Sequence, residues 1–330
     1  MYRFILITGC ILFIASCSNQ DDEDVFPEGS IVIAETVRDT VLTIPSFGTE
    51  IRIPISLPRY GTQMPAVVVM HGSGGNWKDE DTNGDGIADS ITFWELSNQN
   101  KEWKSVLNEN GYVSAFPGSY YPRGAVENEG DWKNPPDQFK ISATFVRNHD
   151  AYATLTMLRQ LRWTDGTPIV DPDAVGIIGF SHGGTAVQST VFDQSAIPAN
   201  WEWRQSFSGT EYTADILQPA PIPEEGGFKA AITYYPGSFH NSYYGNPCTG
   251  NSIYRPYTDL LVHIAENDVL TSNTLCFVDH LDSQELSVTV QHFVYEGAAH
   301  SYDSKNEGAD KEASDLSRAR SLSFLEQQLK

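Results

Sequence analysis

The chain has 330 residues, of which 40% are hydrophobic and 12% aromatic, enough to bury a sizeable core in one large α/β domain. Its formal charge is −22, from 43 acidic and 21 basic residues spread along the chain. Binding phosphates needs a positive stripe, so nucleic acid is not expected as a partner.

The first sixteen residues, MYRFILITGCILFIAS, carry one Arg near the start, then an apolar run, then small residues before Cys17. They are too short and too abruptly followed by polar sequence for a spanning helix, and read as a secretory signal. The stretch IASC at 14–17 resembles the lipobox of bacterial lipoproteins, which implies that Cys17 is lipidated and becomes the mature N-terminus. An ordinary cleaved signal, or a short retained anchor, is the alternative. Residues 17–30 form an acidic tether, whose SNQDDEDVFPEG is too polar to pack. Its placement resembles the acidic surface-export signal of Bacteroidota lipoproteins, which implies the cell envelope, with the chain anchored at the outer membrane and facing outward. The lipid would be the only membrane contact, because no later stretch is long and apolar enough to span a bilayer. Of the four cysteines, Cys10 lies in the signal and Cys17 carries the expected lipid. Cys248 and Cys276 are left in an oxidising compartment, where a disulfide between them is expected over two inert buried thiols.

From residue 31 the chain reads as one catalytic-sized domain of alternating strands and helices. TEIRIPISLP (49–58) alternates with period two and predicts an early antiparallel strand. PAVVVMHG (65–72), GYVSAFPGS (111–119) and AVGIIGFS (174–181) predict strands, the first and last as continuous apolar runs buried on both faces. Between them ISATFVRNHDAYATLTMLRQLRW (141–163) has helical periodicity, and a helix is expected after Ser181. FKAAITYYPG (228–237), TDLLVHIAEND (258–268) and LSVTVQHFVYEG (286–297) predict three more strands separated by helices, and KEASDLSRARSLSFLEQQL (311–329) a closing amphipathic helix. This order implies an α/β fold with a mostly parallel sheet covered on both faces.

GFSHG at 179–183 matches GxSxG in the context that gives the motif meaning, a buried strand, a sharp turn and a helix. Such a turn leaves no room for side chains at Gly179, Gly183 and Gly184, and forces Ser181 into a strained, exposed pose. A plain glycine turn or a phosphate loop is the alternative, but GxGxxG and GK[ST] are both missing. A serine hydroxyl needs a base, and the base an orienting carboxylate. Asp268 follows the strand LLVHIAEN and His300 follows HFVYEGAA, in the order Ser, acid, His. Glu266 is the runner-up acid. Among the eight histidines, His263 and His292 fall inside strands and read as packed core residues, and His182, next to the serine, should turn its ring away. The charge that builds on a cleaved carbonyl needs fixed donors. The backbone N–H of His182 supplies one, and HGSGG (71–75) a second, from Ser73 or else Gly74.

At these residues the chain resembles the dienelactone hydrolase family of α/β hydrolases, over roughly residues 49–330. VVVMHGSGG, DPDAVGIIGFSHGG, FKAAITYYPG, LLVHIAENDVLTSNTLC and VYEGAAHSYD carry the resemblance. It implies the α/β-hydrolase fold, with Ser181, Asp268 and His300 at the catalytic positions and His182 and Ser73 at the oxyanion hole. Enzymes that open dienelactones use cysteine as nucleophile, so serine here points to a general carboxylic ester. Insertions at about 76–100, 120–140 and 195–227 exceed the minimal pattern and leave the pocket walls open.

One insertion has chemistry of its own. DTNGDGIAD sets Asp81, Asn83, Asp85 and Asp89 at loop positions 1, 3, 5 and 9, with Ile87 giving a carbonyl at 7 and Gly86 the turn at 6. It resembles the calcium loops of thrombospondin type 3 repeats and dockerins, with Thr92 in place of the bidentate glutamate; a merely solvated acidic loop is the alternative. Structural calcium is the one ion expected, and no organic cofactor. The insertions also hold Trp77, Trp94, Trp103, Trp132, Trp201 and Trp203, most of them read as packing; Tyr120, Tyr121 and Tyr302 are the candidate substrate contacts.

Together these features predict a serine esterase acting on a small-molecule or polymer-borne ester through an acyl-enzyme. A prolyl-oligopeptidase-type peptidase shares the fold and triad order, but the stretch ahead of residue 49 is too short for that family's propeller. A surface binding protein on a hydrolase scaffold is the third reading.

Overall fold

The computed structural model describes residues 26–80, 90–123, 141–207, 210–213, 218–237 and 243–330. The signal and lipid at Cys17, and the loop ligands Asp81, Asn83, Asp85, Ile87 and Asp89, lie outside the described residues. Trp132 and the side chain of Trp94 do too.

Eight strands form the central sheet: β1 (Asp39–Ser46), β2 (Thr49–Ser56), β3 (Met64–Met70), β4 (Val113–Ala115), β5 (Val170–Phe180), β6 (Ala230–Tyr234), β7 (Asp259–Asn267) and β8 (Val290–Ala299). Their order is β1-β2-β4-β3-β5-β6-β7-β8. Strand β2 runs antiparallel to both its neighbours, as its alternating pattern predicts, and the pairs from β4 through β8 are all parallel. The apolar runs are continuous because both faces are covered. In β3, Ala66, Val68 and Met70 join one core and Val67 and Val69 the other. Helices α2 (Arg147–Gln160), α3 (His182–Thr190) and α4 (Thr271–Asp282) pack on the first face, and α1 (Asn98–Glu109) and α5 (Gly308–Leu329) on the second.

Two expectations are corrected. The helical periodicity of 141–163 extends beyond the helix, which ends at Gln160; Leu161–Trp163 form a short strand parallel to Ile31–Ile33, burying Leu161 and Trp163. His292 is not a core residue, because β8 is an edge strand and leaves its side chain 33% exposed. His263, in the interior strand β7, behaves as expected. Its two ring nitrogens meet Tyr295 Oη at 2.8 Å and Ser321 Oγ at 2.9 Å, and burial pushes its pKa down to about 3. Small residues let α5 lie close to the sheet. Ser314, Ser317 and Ser321 are buried beneath it, and a Cβ on Gly176 of β5 would come 3.1 Å from Leu329. Cys248 and Cys276 form the expected disulfide, with Cα atoms 4.9 Å apart, fastening the 3₁₀ turn Pro247–Thr249 to α4. No helix among the described residues is long and apolar enough to cross a membrane.

Candidate active site

Five neighbouring strands, β3, β5, β6, β7 and β8, deliver functional side chains at their carboxyl ends, where open α/β sheets form their crevice. Strand β5 leads into Ser181, whose φ of 50° and ψ of −115° lie in a region that L-residues seldom occupy. The strain is held from two sides. The Ser181 N–H donates to Tyr234 O at 2.9 Å, and the Ser181 carbonyl accepts from Thr185 N at 3.1 Å as α3 begins. The glycines of the motif are explained by space. A Cβ on Gly179 would lie 2.2 Å from Gly183 O, and one on Gly183 would lie 2.1 Å from Met70 O. Gly184 is less crowded, with Pro236 at 3.1 Å.

Asp268 and His300 reach this serine from the ends of β7 and β8. His300 Nδ1 lies 2.5 Å from Asp268 Oδ2, and Nε2 lies 2.9 Å from Ser181 Oγ. The carboxylate can only accept, so Nδ1 carries the proton and Nε2 is left to accept from the serine hydroxyl. Asp268 is 2% exposed in its side chain, and its other oxygen accepts from Leu270 N at 3.0 Å, which fixes the carboxylate. The runner-up Glu266 is occupied elsewhere, accepting from Gly297 N at 2.8 Å on the edge of β8.

The HGSGG loop lies against Ser181, since a Cβ on Gly72 would come 3.7 Å from Ser181 Cβ. Fully buried side chains anchor it at both ends. His71 Nε2 accepts from Ser119 N at 3.3 Å, so its Nδ1–H donates to Gly72 O at 2.7 Å. At the far end Asn76 donates to Phe116 O at 2.9 Å and accepts from Asn100 at 2.8 Å. The turn between is closed by Gly75 N to Gly72 O at 3.2 Å, leaving Ser73 and Gly74 at its tip. Behind the loop sits Arg147, fully buried. It donates to His71 O at 2.7 Å and to His182 Nδ1 at 2.9 Å. Burial first, and the Arg147 charge second, hold both histidines well below the usual imidazole pKa, so both stay neutral.

The ring of His182 does turn away from the serine, and Tyr120 Oη meets its Nδ1 at 2.7 Å. That contact corrects one expectation. Tyr120 is completely buried behind the loop, and Tyr302 is completely buried among Tyr234, Tyr235 and Tyr295, so neither presents itself to a substrate. Tyr121 is 47% exposed. Of the tryptophans, Trp77, Trp103 and Trp203 are buried, as the packing reading predicts.

Sequence reasoning missed a cluster beside His300. Tyr235, just past β6, has a φ of 35° and places its ring 4.8 Å from the imidazole, edge to face. Its hydroxyl donates to the buried Asp303, which also accepts from Gln99 Nε2 at 2.9 Å and Trp103 Nε1 at 3.2 Å. Burial raises the pKa of the Asp303 carboxyl and, aided by that carboxyl, holds the Tyr235 hydroxyl well above its usual value. Gln99 and Trp103 stand four positions apart on α1, hence on one face. Among the described residues no group of three or more His, Cys, Asp or Glu is placed to hold a metal ion.

No protein-family model matches the chain, and no curated protein matches its sequence. Solved structures do match its shape. A Klebsiella pneumoniae protein assigned as a dienelactone hydrolase superposes with a TM-score of 0.55 at 15% identity, over 88% of this chain and 98% of that one. EstE1, a thermostable carboxylesterase from a metagenomic library, gives 0.51 at 18%, over 89% and 91%. Porphyromonas gingivalis dipeptidyl peptidase 4 gives 0.50 at 17%, over 88% of this chain but 35% of the peptidase. At these identities the likeness speaks for architecture alone: the protein has the α/β-hydrolase fold.

Proposed function

We propose that the protein is a serine hydrolase of carboxylic esters, with Ser181 as nucleophile, His300 as general base and Asp268 as the carboxylate that orients it. The observation that carries this reading is the continuous relay from Asp268 through His300 to Ser181, with hydrogen bonds of 2.5 and 2.9 Å. His300 Nε2 takes the hydroxyl proton as Ser181 Oγ bonds to the ester carbonyl. Asp268 stabilises the imidazolium that results. The tetrahedral oxyanion falls at the start of α3, where the His182 N–H and a second N–H from Ser73 or Gly74 would hold it, aided by the helix dipole. Collapse of that intermediate breaks the bond to the alcohol, which leaves with the proton from His300. A water molecule then enters by the same route, giving its proton to His300 and its oxygen to the acyl group, and Ser181 recovers its hydroxyl as the acid departs.

Labelling by a fluorophosphonate tests the nucleophile, and Ser181→Ala should abolish it while lowering turnover by roughly a million-fold. An unlabelled wild type would favour the binding-protein reading. The fold likeness to part of a dipeptidyl peptidase keeps a peptidase as the second reading. Faster turnover of aminoacyl anilides than of short p-nitrophenyl esters would favour it.

A further inference from the structure

We infer that Tyr235 and Asp303 act as a positioning couple for His300, holding the imidazole in line with Ser181 and stabilising its protonated form; this rests on the triad reading above. Three observations support it. First, the loop that carries His300 is held by contacts on both sides of it: Ala299 N donates to Asp310 Oδ1 at 2.7 Å and Tyr302 is fully buried. His300 leaves β8, an edge strand, and Ser301 after it turns through a left-handed φ of 62°. The loop is caught again at Asp303, whose carboxylate is nearly inaccessible at 2%. Second, what catches it is a neutral donor set from other elements, one of them next to the serine's own strand. Tyr235 follows β6, and Gln99 and Trp103 lie on α1. Gln99 also donates to Tyr235 Oη at 3.0 Å, so one amide ties both members of the couple. Third, Tyr235 has a strained backbone, φ 35°, and its ring lies 4.8 Å from the imidazole. Non-glycine residues persist in that region only where their surroundings over-determine them.

The chemistry follows from the charges. A buried carboxylate whose bonds all come from neutral donors keeps a negative field on its surroundings. The charged group facing it from α5 is Arg318, which donates to the Asp303 carbonyl at 3.1 Å and is itself paired with Glu102 of α1 at 2.9 Å. Tyr302 and Tyr234 face the cluster as neutral phenols, their hydroxyl pKa values held high by burial. On its other sides His300 faces Asp268 and Ser181. The imidazolium formed during proton transfer therefore has one carboxylate in contact and a second bonded to the hydroxyl of the tyrosine packed against it.

Steady-state hydrolysis of p-nitrophenyl acetate by Tyr235→Phe, Asp303→Asn and the double variant tests the couple, with Ser181→Ala alongside. Each single variant should lower kcat about tenfold while KM stays within about twofold, since the effect falls on alignment and not on substrate contact. Asp303→Asn should also move the acid limb of the kcat/KM profile to lower pH, because a negative neighbour of the imidazolium is gone. The double variant should be no worse than the worse single, as the two act through one hydrogen bond. Wild-type kcat in a Tyr235→Phe protein of normal melting temperature would overturn the inference, and that variant decides the matter should Asp303→Asn fail to fold. A lowered melting temperature alone, with kinetics unchanged, would also overturn it and leave a packing role. Undiminished turnover in Ser181→Ala would bring down the triad reading itself, a result separable from the others.

Discussion

Gly183→Ala should disable the site through main-chain displacement alone. The added Cβ would lie 2.1 Å from Met70 O, 2.5 Å from His71 O and 2.7 Å from Met70 C. Carbon and oxygen settle at about 3.3 Å or more, so the end of β3 must retreat by roughly 1 Å. No side chain can flex to relieve this, because all three atoms are backbone. Nor is that backbone loosely held: Met70 pairs with Gly179 of β5, and the His71 carbonyl is gripped by Arg147. The retreat therefore passes into residues 72–75, the proposed source of an oxyanion donor. A misplacement of that size is worth on the order of 100-fold in turnover, with about 1–3 kcal/mol of overpacking in stability. Gly184→Ala is the matched control, since its Cβ meets Pro236 at 3.1 Å and needs only a few tenths of an ångström. Kinetics on p-nitrophenyl acetate beside thermal melts would read both. A Gly183→Ala enzyme within threefold of wild-type kcat would refute the reasoning, as would equal losses at the two glycines.

Asp268→Asn should reduce kcat by on the order of 10⁴ by fixing the wrong imidazole tautomer, whereas Glu266→Gln should leave it within about twofold, which kinetics on the same ester would show. Acid should destabilise the fold through buried imidazoles. His71, His182 and His263 have folded pKa values below the unfolded 6.5, so the unfolded chain binds their protons first as pH falls. Their stabilisation is complete above pH 6.5 and drains below it, each at roughly 1 kcal/mol per pH unit. Asp303, with a raised pKa, pulls the other way below its own titration, while burial also lowers the pKa values of His149 and His280. Melting temperatures should accordingly fall steeply from pH 6.5 toward 4, and a flat profile would contradict this. Replacing both Cys248 and Cys276 by serine opens a crosslink 28 residues apart in sequence. Denaturant titration should show a loss of about 3–4 kcal/mol on the loop-entropy view.

His300 follows the half-exposed edge strand β8 and was placed by the chain order Ser, acid, His, whereas Ser181 and Asp268 were legible because each stands just past an interior strand buried on both faces. Such strands announce themselves as VVVM, AVGIIG, LLVHIA, and the residue beyond each is thereby placed at the carboxyl edge. Strand β1 escaped notice because it is an edge strand, half-exposed along most of its length and carrying Pro45, so DTVLTIPS holds neither a clean alternation nor a continuous apolar run. Leu161–Trp163 were absorbed into a helical pattern because three residues cannot establish a period. Tyr120 and Tyr302 illustrate a different limit. An aromatic at a strand end can turn in or out, and what decides is a partner distant in sequence, such as His182 for Tyr120, 62 residues away. The cluster around Asp303 was hidden for the same reason, its bonds to Tyr235 and Gln99 spanning 68 and 204 residues. Buried polar networks leave no periodicity behind them.

The imidazole proposed as proton acceptor hangs from an outermost ribbon of the sheet, a strand with one hydrogen-bonded neighbour among the described residues. Margins of this kind fray at lower free energy than the interior. On warming, the proposed hydrolysis should fall silent while the six inner ribbons remain paired, making loss of turnover an earlier thermometer than loss of secondary structure.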